Sequence, residues 1–177
     1  DVYKRQVTVG PVVNLWGFGP QKRPERVPDD EALAAALARV DIHALRLDDG
    51  QLSKSKPVYI DLSGIAKGYA VDQVAEYLEA QGIQDYLVEI GGEIRTHGEK
   101  PDGSPWRIAV EKPISTERSV QRILELGNAA VATSGDYRNY FESNGVRYSH
   151  TIDPQTGRPI TNRVASVTVI TERCMTC

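Results

Sequence analysis

The sequence predicts an α+β fold, a mostly antiparallel sheet with packed helices, and three observations carry that reading. Strand-like runs outnumber helical patterns by about four to one. The runs are short and are joined by tight turn signals such as Asp48-Asp49-Gly50 and Asn144-Gly145. No repeat, low-complexity stretch or linker divides the chain, so its 177 residues read as one domain. Hydrophobic residues at 40% and charged residues at 25% are soluble globular proportions, and a net charge of -3 with no basic block gives no reason to expect nucleic acid or an anionic membrane. No run approaches the roughly 20 apolar residues of a spanning helix. The start, Asp1 to Gln6, has neither an initiator Met nor a signal-peptide core, which suggests a fragment.

Taken in order, Val7 to Pro20 packs Trp16, Phe18 and three glycines into a short apolar run and reads as a buried strand or wall ending in a turn. Core packing is the first reading of its aromatics, and a flat ligand pocket the second. Gln21 to Pro28 reads as a surface loop. Asp29-Asp30-Glu31 opens a helix with Leu33, Leu37 and Val40 on one face. His43 to Leu47 and Gln51 to Ser53 flank a hairpin turn, with His43 a plain strand residue. Val58 to Ile60 then reads as a strand feeding a helix that starts after Asp61-Leu62-Ser63-Gly64. Free N–H groups and the positive end of the dipole make such a start an anion site, and Lys67 in the first turn, unfavourable to the helix itself, points to a ligand. Ile65, Tyr69, Val74 and Leu78, with Val71 and Ala75 beside them, form the apolar stripe of that helix, and Gly82 stops it.

Asp85 to Ile90 is a strand that Gly91-Gly92 interrupts before Glu93 to His97, so the glycines mark a bulge or a ligand pressed against the backbone. Trp106 to Glu111, Gln121 to Leu126 and Ala129 to Ala132 are further strands. Thr133-Ser134-Gly135-Asp136-Tyr137 follows, a plain turn or a donor set for a phosphate or a ring edge. Tyr140 to Tyr148 is a hairpin, and its second strand delivers His150-Thr151-Ile152-Asp153 to a Pro-containing turn, where a strand-end base could reach a ligand. Ala165 to Thr171 is the last strand. The closing Cys174-Met175-Thr176-Cys177 has no second CxxC or nearby His and reads as a tail rather than a redox or metal site.

Five motifs then carry a resemblance: Asn14-Leu15-Trp16-Gly17-Phe18-Gly19, Asp61 to Asp72, Gly91-Gly92-Glu93-Ile94, Thr133 to Tyr137, and His150 to Gly157. In this order they resemble the ApbE family, across nearly the whole chain. The resemblance implies a T-fold-like domain and an FAD:protein FMN transferase that uses Mg²⁺ and attaches FMN to a threonine of an acceptor flavoprotein with release of AMP. Its alternatives are a Mg²⁺-dependent FAD pyrophosphatase and a flavin-binding carrier without catalysis. It implies His150 in catalysis, Lys67 and Ile152 against the flavin nucleotide, and the Gly64 carbonyl on Mg²⁺. Asn14, Gly91, Gly92, Ser134 and Gly135 of the same motifs are taken as cofactor-binding. An acidic flavin contact of the family falls on Gln6 here, and the family's Asp-Ala-x-x-Thr metal segment is missing. The resemblance further implies a location in the bacterial periplasm or on the cell-envelope side of the inner membrane, with membrane contact only through a lipid anchor outside this chain.

Overall fold

The computed structural model describes residues 7–20, 26–113, 119–161 and 164–177. They form two compact units, each with its own core. One runs through Gly64 and takes up the chain again at Arg138; the other comprises Ile65–Tyr137 and Val164–Cys177. Gln6, residues 21–25 of the expected loop and residues 162–163 lie outside the described residues.

In the first unit the expected wall at 7–20 is a short helix, α1 (Gly10–Leu15), with Pro11 in its first turn where a missing N–H costs nothing. Packing overrides the strand-like composition, because helical spacing puts Val12 and Trp16 on one face and both are fully buried. They pack with Leu33, Phe141 and Ile152. The Trp16 indole donates to the Gly157 carbonyl at 2.7 Å, and Tyr148 lies 5.4 Å from its ring. Trp16 is thus a core residue, as the first reading had it. Helix α2 (Asp30–Leu37) is capped by Asp29, whose carboxylate accepts from the Ala32 N–H.

His43 is not in a strand: it sits in a 3₁₀ turn, Ile42–Ala44, with its N–H held by the Asp41 carboxylate. The hairpin itself forms, with β1 (Leu45–Asp48) paired to β2 (Gln51–Lys54) through positive-φ Asp49 and Gly50. Val58 to Ile60 is not a strand and has no strand partner among the described residues; the Asp61 N–H bonds the Val7 carbonyl instead. A ring packed against α1 explains the local shape, since a Cβ on Gly10 would meet Tyr59 at 2.6 Å. Strands β8 (Tyr140–Ser143) and β9 (Val146–Ser149) form the expected Asn144-Gly145 hairpin.

The second unit is built on helix α3 (Ser63–Ala80), which begins two residues before the unit does, and on a four-stranded antiparallel sheet. The sheet is ordered β10 (Ser166–Thr171), β7 (Ala129–Gly135), β4 (Glu93–His97), β3 (Tyr86–Ile90). Strands β5 (Trp106–Glu111) and β6 (Val120–Leu126) make a separate hairpin. Gly91-Gly92 is neither a bulge nor an interruption. Both residues have positive φ and form the two-residue turn joining β3 to β4. Thr133, Ser134 and Gly135 belong to β7, the last two opposite Val167 and Ser166, so the expected turn starts three residues later than the sequence suggests.

The buried face of α3 also differs from the expected stripe. Gly68, Val71, Asp72 and Ala75 face inward, whereas Tyr69 and Val74 are exposed. Gly68 lies inside because the chain end crosses there: a Cβ would stand 2.6 Å from the Cys174 carbonyl oxygen. The helix ends as expected, with positive-φ Gly82 donating to Glu79 and Ile83 donating to Leu78, a Schellman pair. The Cys174–Thr176 segment is not a loose tail but a 3₁₀ turn with Cys174 in the core. Neither cysteine is in a disulfide among the described residues, and burial first of all pushes the Cys174 thiol up to about 12, which disfavours its thiolate.

Asp72 holds this unit together. Its fully buried carboxylate accepts from Arg95 at 3.1 Å and from the backbone N–H groups of Cys174 and Met175 at 2.9 Å each. Burial raises its proton affinity, but the Met175 and Cys174 N–H bonds and Arg95 outweigh it and hold the group below its ordinary 3.8. A depressed folded value means that this stabilisation is complete above the unfolded pKa and is lost as pH falls through the folded one. Urea unfolding of Asp72→Asn at neutral pH should show a loss of about 3 kcal/mol or more, since Arg95 and two N–H groups lose a buried anion. That gap should narrow as pH drops below about 4. Gly68→Ala should lower the melting temperature even though alanine gains about 1 kcal/mol of helix propensity. The atom it meets is backbone and cannot rotate away, and overpacking of this kind costs about 1–3 kcal/mol.

Candidate functional site

The candidate residues fall into both units, and each group has its own local geometry. In the first unit the His150 to Gly157 motif folds as a tight loop. The Gly157 N–H bonds the Asp153 carbonyl, Asp153 bonds Arg158 in return, and Ile152 bridges Pro159. Gly157 has φ +67, and a side chain there would meet Leu33 and Leu37, so glycine is required on both counts. This loop presents His150 as the residue after β9. Its backbone N–H donates to the Asn139 carbonyl at 3.0 Å, and its Nδ1 lies 3.2 Å from the same oxygen. A carbonyl only accepts, so Nδ1 carries the proton in this contact. Phe18 meets the ring edge-on.

Ile152 is a core residue of this unit, packed with Trp16 and Phe141. Asn14 is buried in α1, and its Oδ1 has no hydrogen-bond partner among the described residues. That oxygen lies so close to Gly19 that any side chain there would collide with it. Gly64 is the second residue of α3. Just before it, the Asp61 carboxylate takes both the Ser63 N–H at 2.9 Å and the Ser63 hydroxyl at 2.6 Å. The first N–H of the helix start is therefore already bound to an anion of the chain itself.

In the second unit the structure brings three candidates together. Lys67 Nζ bonds the Gly91 carbonyl at 3.0 Å and pairs with Glu93 at 3.1 Å, so the first turn of α3 is tied to the Gly91-Gly92 turn. The Lys67 side chain is 48% exposed and Glu93 15%. This pair also accounts for a cation at a helix N-terminus, since Glu93 offsets the unfavourable charge. Ser134 and Gly135 end β7, and a side chain at Gly135 would collide with the Tyr137 ring.

Sequence reasoning missed Asp72, Arg95 and Glu93. Asp72 had a signal: Gly68, Val71, Asp72 and Ala75 keep i, i+3, i+4, i+7 spacing, so an acid stood on a helix face that had to be buried. A cavity of about 500 Å³ in this unit, lined by Glu79, Arg95, Thr96, His97 and Glu172 among others, contains none of the candidate residues. Its polar groups are largely satisfied within the protein: Arg95 by Asp72 and Glu79, Thr96 by the Gly127 carbonyl, His97 by the Gln84 carbonyl. Among the described residues no group of three or more His, Cys, Asp or Glu could hold a metal ion, so the residues present do not form a metal site by themselves.

The chain is 63% identical over 171 residues to the FAD:protein FMN transferase of Vibrio cholerae serotype O1, covering 96% of this chain and 51% of that protein. It is 56% identical over 176 residues to the FAD:protein FMN transferase of Haemophilus influenzae, again with 96% and 51% covered. Its fold matches the structure of flavin transferase ApbE from Vibrio cholerae with a TM-score of 0.87 at 60% identity, over 98% of this chain and 55% of that one. It matches the ApbE protein of Thermotoga maritima with a TM-score of 0.84 at 39% identity, over 97% and 55%. The chain therefore spans about half the length of the curated relatives it matches. A model of the ApbE family matches residues 5–177, and the chain belongs to the ApbE family.

Proposed function

We propose that this chain is a portion of an FAD:protein FMN transferase that moves FMN from FAD to a threonine of an acceptor flavoprotein. The reaction makes one bond and breaks one. The threonine oxygen attacks the FMN phosphorus, the pyrophosphate oxygen leaves with AMP, and the hydroxyl proton is taken up by a base. The observation that carries the reading is the His150 ring. Nδ1 lies against a backbone carbonyl, which orients the imidazole at the end of a strand, and a histidine so placed is the residue type best suited to take up the hydroxyl proton. Lys67 acts in binding: its ammonium, half-exposed and anchored at the Gly91 turn, supplies positive charge for a phosphate or flavin oxygen.

Asn14, Ile152, Gly92, Ser134 and Gly135 complete the proposed nucleotide contacts. Mg²⁺, when bound, would neutralise pyrophosphate charge, with the Gly64 carbonyl as one ligand. The described residues do not complete that ligand set, and no step here runs through the ion. A bacterial periplasmic location belongs to the same proposal and rests on the family resemblance.

The full-length protein incubated with FAD, Mg²⁺ and an acceptor flavoprotein should yield acceptor carrying covalent FMN, read by mass spectrometry, together with AMP. Free FMN plus AMP on an unmodified acceptor would make it a pyrophosphatase, and bound FAD without turnover a carrier. His150→Ala should slow transfer by about 10²- to 10⁴-fold with little change in FAD affinity. Lys67→Ala should weaken FAD binding by about tenfold or more, the loss expected for a charged hydrogen bond. Equal losses of binding in both variants would refute this division of roles.

A further inference from the structure

The Cys174-Met175-Thr176-Cys177 segment, which the sequence alone presents as a tail, is folded into the core of the second unit. Cys174 is 3% exposed in the cluster with Val71, Ala75, Tyr86 and Ala130, and Cys177 packs against that same cluster. The Cys177 N–H bonds the Cys174 carbonyl at 3.2 Å. A turn closed by such a bond keeps its end Cα atoms within about 7 Å, and a disulfide spans about 4.4–6.8 Å between Cα atoms. The backbone thus brings the two cysteines within bridging reach.

Their side chains meet as well. Cys177 Sγ lies 3.9 Å from the Arg173 carbonyl oxygen, so it folds back over the peptide that leads into Cys174. Burial is the first cause that keeps the proton on Cys174, and the Cys177 thiol adds to it by its charge and by a direct hydrogen bond. Such a bond requires the two sulfurs to be neighbours. The turn also holds this shape as a dithiol. The Thr171 and Thr176 hydroxyls both donate to the Arg173 carbonyl, at 2.8 and 2.7 Å, and Thr171 Oγ1 lies 2.9 Å from Cys177 Sγ. Asp72 holds the Cys174 and Met175 N–H groups from the other side. With the backbone already fixed, joining the sulfurs orders little further chain.

We propose that Cys174 and Cys177 form a reversible disulfide, a modification site that fastens the turn donating to Asp72. The oxidant is a small-molecule disulfide of the glutathione type. The Cys177 sulfur, the more accessible of the two in this chain, attacks as a thiolate and expels one thiol from the oxidant. The Cys174 sulfur then attacks the Cys177 sulfur, gives up its proton and displaces the second thiol. One disulfide forms in the protein and one is broken in the oxidant, whose two halves leave as thiols. The inference rests on the turn and does not depend on the proposed activity.

The test equilibrates the full-length protein with mixtures of reduced and oxidised glutathione, quenches with acid, alkylates under denaturing conditions and digests with trypsin. Cleavage after Arg173 puts both cysteines in one peptide. As the oxidised fraction rises, that peptide should lose both alkylation sites together and become lighter than the dithiol by two hydrogens. This readout needs no substitution. Two alkylated thiols at every mixture would overturn the proposal, and so would glutathione left on Cys177 without closure or a bridge from either residue to another cysteine. Oxidation should also raise the urea midpoint, and Cys177→Ser should abolish that shift. A lower midpoint on closure would mean that the turn does not fit the bridge. In Cys177→Ser, glutathione should reach Cys174 at least about tenfold more slowly than the wild-type protein loses its Cys174 thiol, because a buried thiol is reached only through local opening. Equal rates would overturn the exchange through Cys177.

Discussion

The second unit depends on one buried carboxylate. Asp72 is inaccessible to water, and a lone charge there would cost several kcal/mol, so its position is tolerable only with every partner in place. Those partners come from distant parts of the sequence: Arg95 from β4, and Cys174 and Met175 from the chain end. Arg95 also reaches Glu79 on the same helix, and Glu79 receives the Tyr86 hydroxyl, whose proton burial and that carboxylate hold up to about 12. One network thus fixes the helix on the sheet in both rotation and register. The first turn of α3 is positioned as a consequence, and with it Lys67.

This arrangement explains which parts of the fold were legible in the sequence. Hairpins announced by Asp-Gly or Asn-Gly formed where expected, because a positive-φ pair is a local requirement that tertiary packing does not change. Gly91-Gly92 obeys the same rule, but two glycines inside an apolar run fit a bulge or a turn equally well, and only the pairing of β3 with β4 decides. The segment around Trp16 was misread for the opposite reason. Its β-branched and aromatic composition favours a strand, while the helical spacing of Val12 and Trp16 serves a core whose other members, Phe141 and Ile152, lie more than a hundred residues away. No local window holds that information. The face of α3 was misjudged because hydrophobicity was weighed and close approach was not: Gly68 is buried by a crossing backbone and Asp72 by its partners, neither of which scores as apolar.

The candidate site was legible as motifs but not as contacts. His150, Lys67 and the glycines could be named from order and spacing. The Asn139 carbonyl that meets the histidine Nδ1 is a backbone atom eleven residues away, and no pattern of side chains signals it. Glu93 could have been weighed as a partner for Lys67, since it closes the quoted Gly-Gly-Glu motif, but the pairing becomes visible only when the β3–β4 turn meets the start of α3.

That pairing alters what the start of α3 can do. An unopposed lysine among free N–H groups would attract any phosphate that reached it. Here the Ser63 N–H is held by Asp61, and the lysine is shared between Glu93 and the Gly91 carbonyl. A simple anion must compete with two carboxylates of the protein, and at this exposure the Lys67–Glu93 pair is weakly held and screened by salt. A ligand gains net affinity only by bringing further contacts that replace those the lysine gives up. The start of α3 is therefore an anion site whose charges are already partly matched within the protein, unlike the open one the sequence suggests.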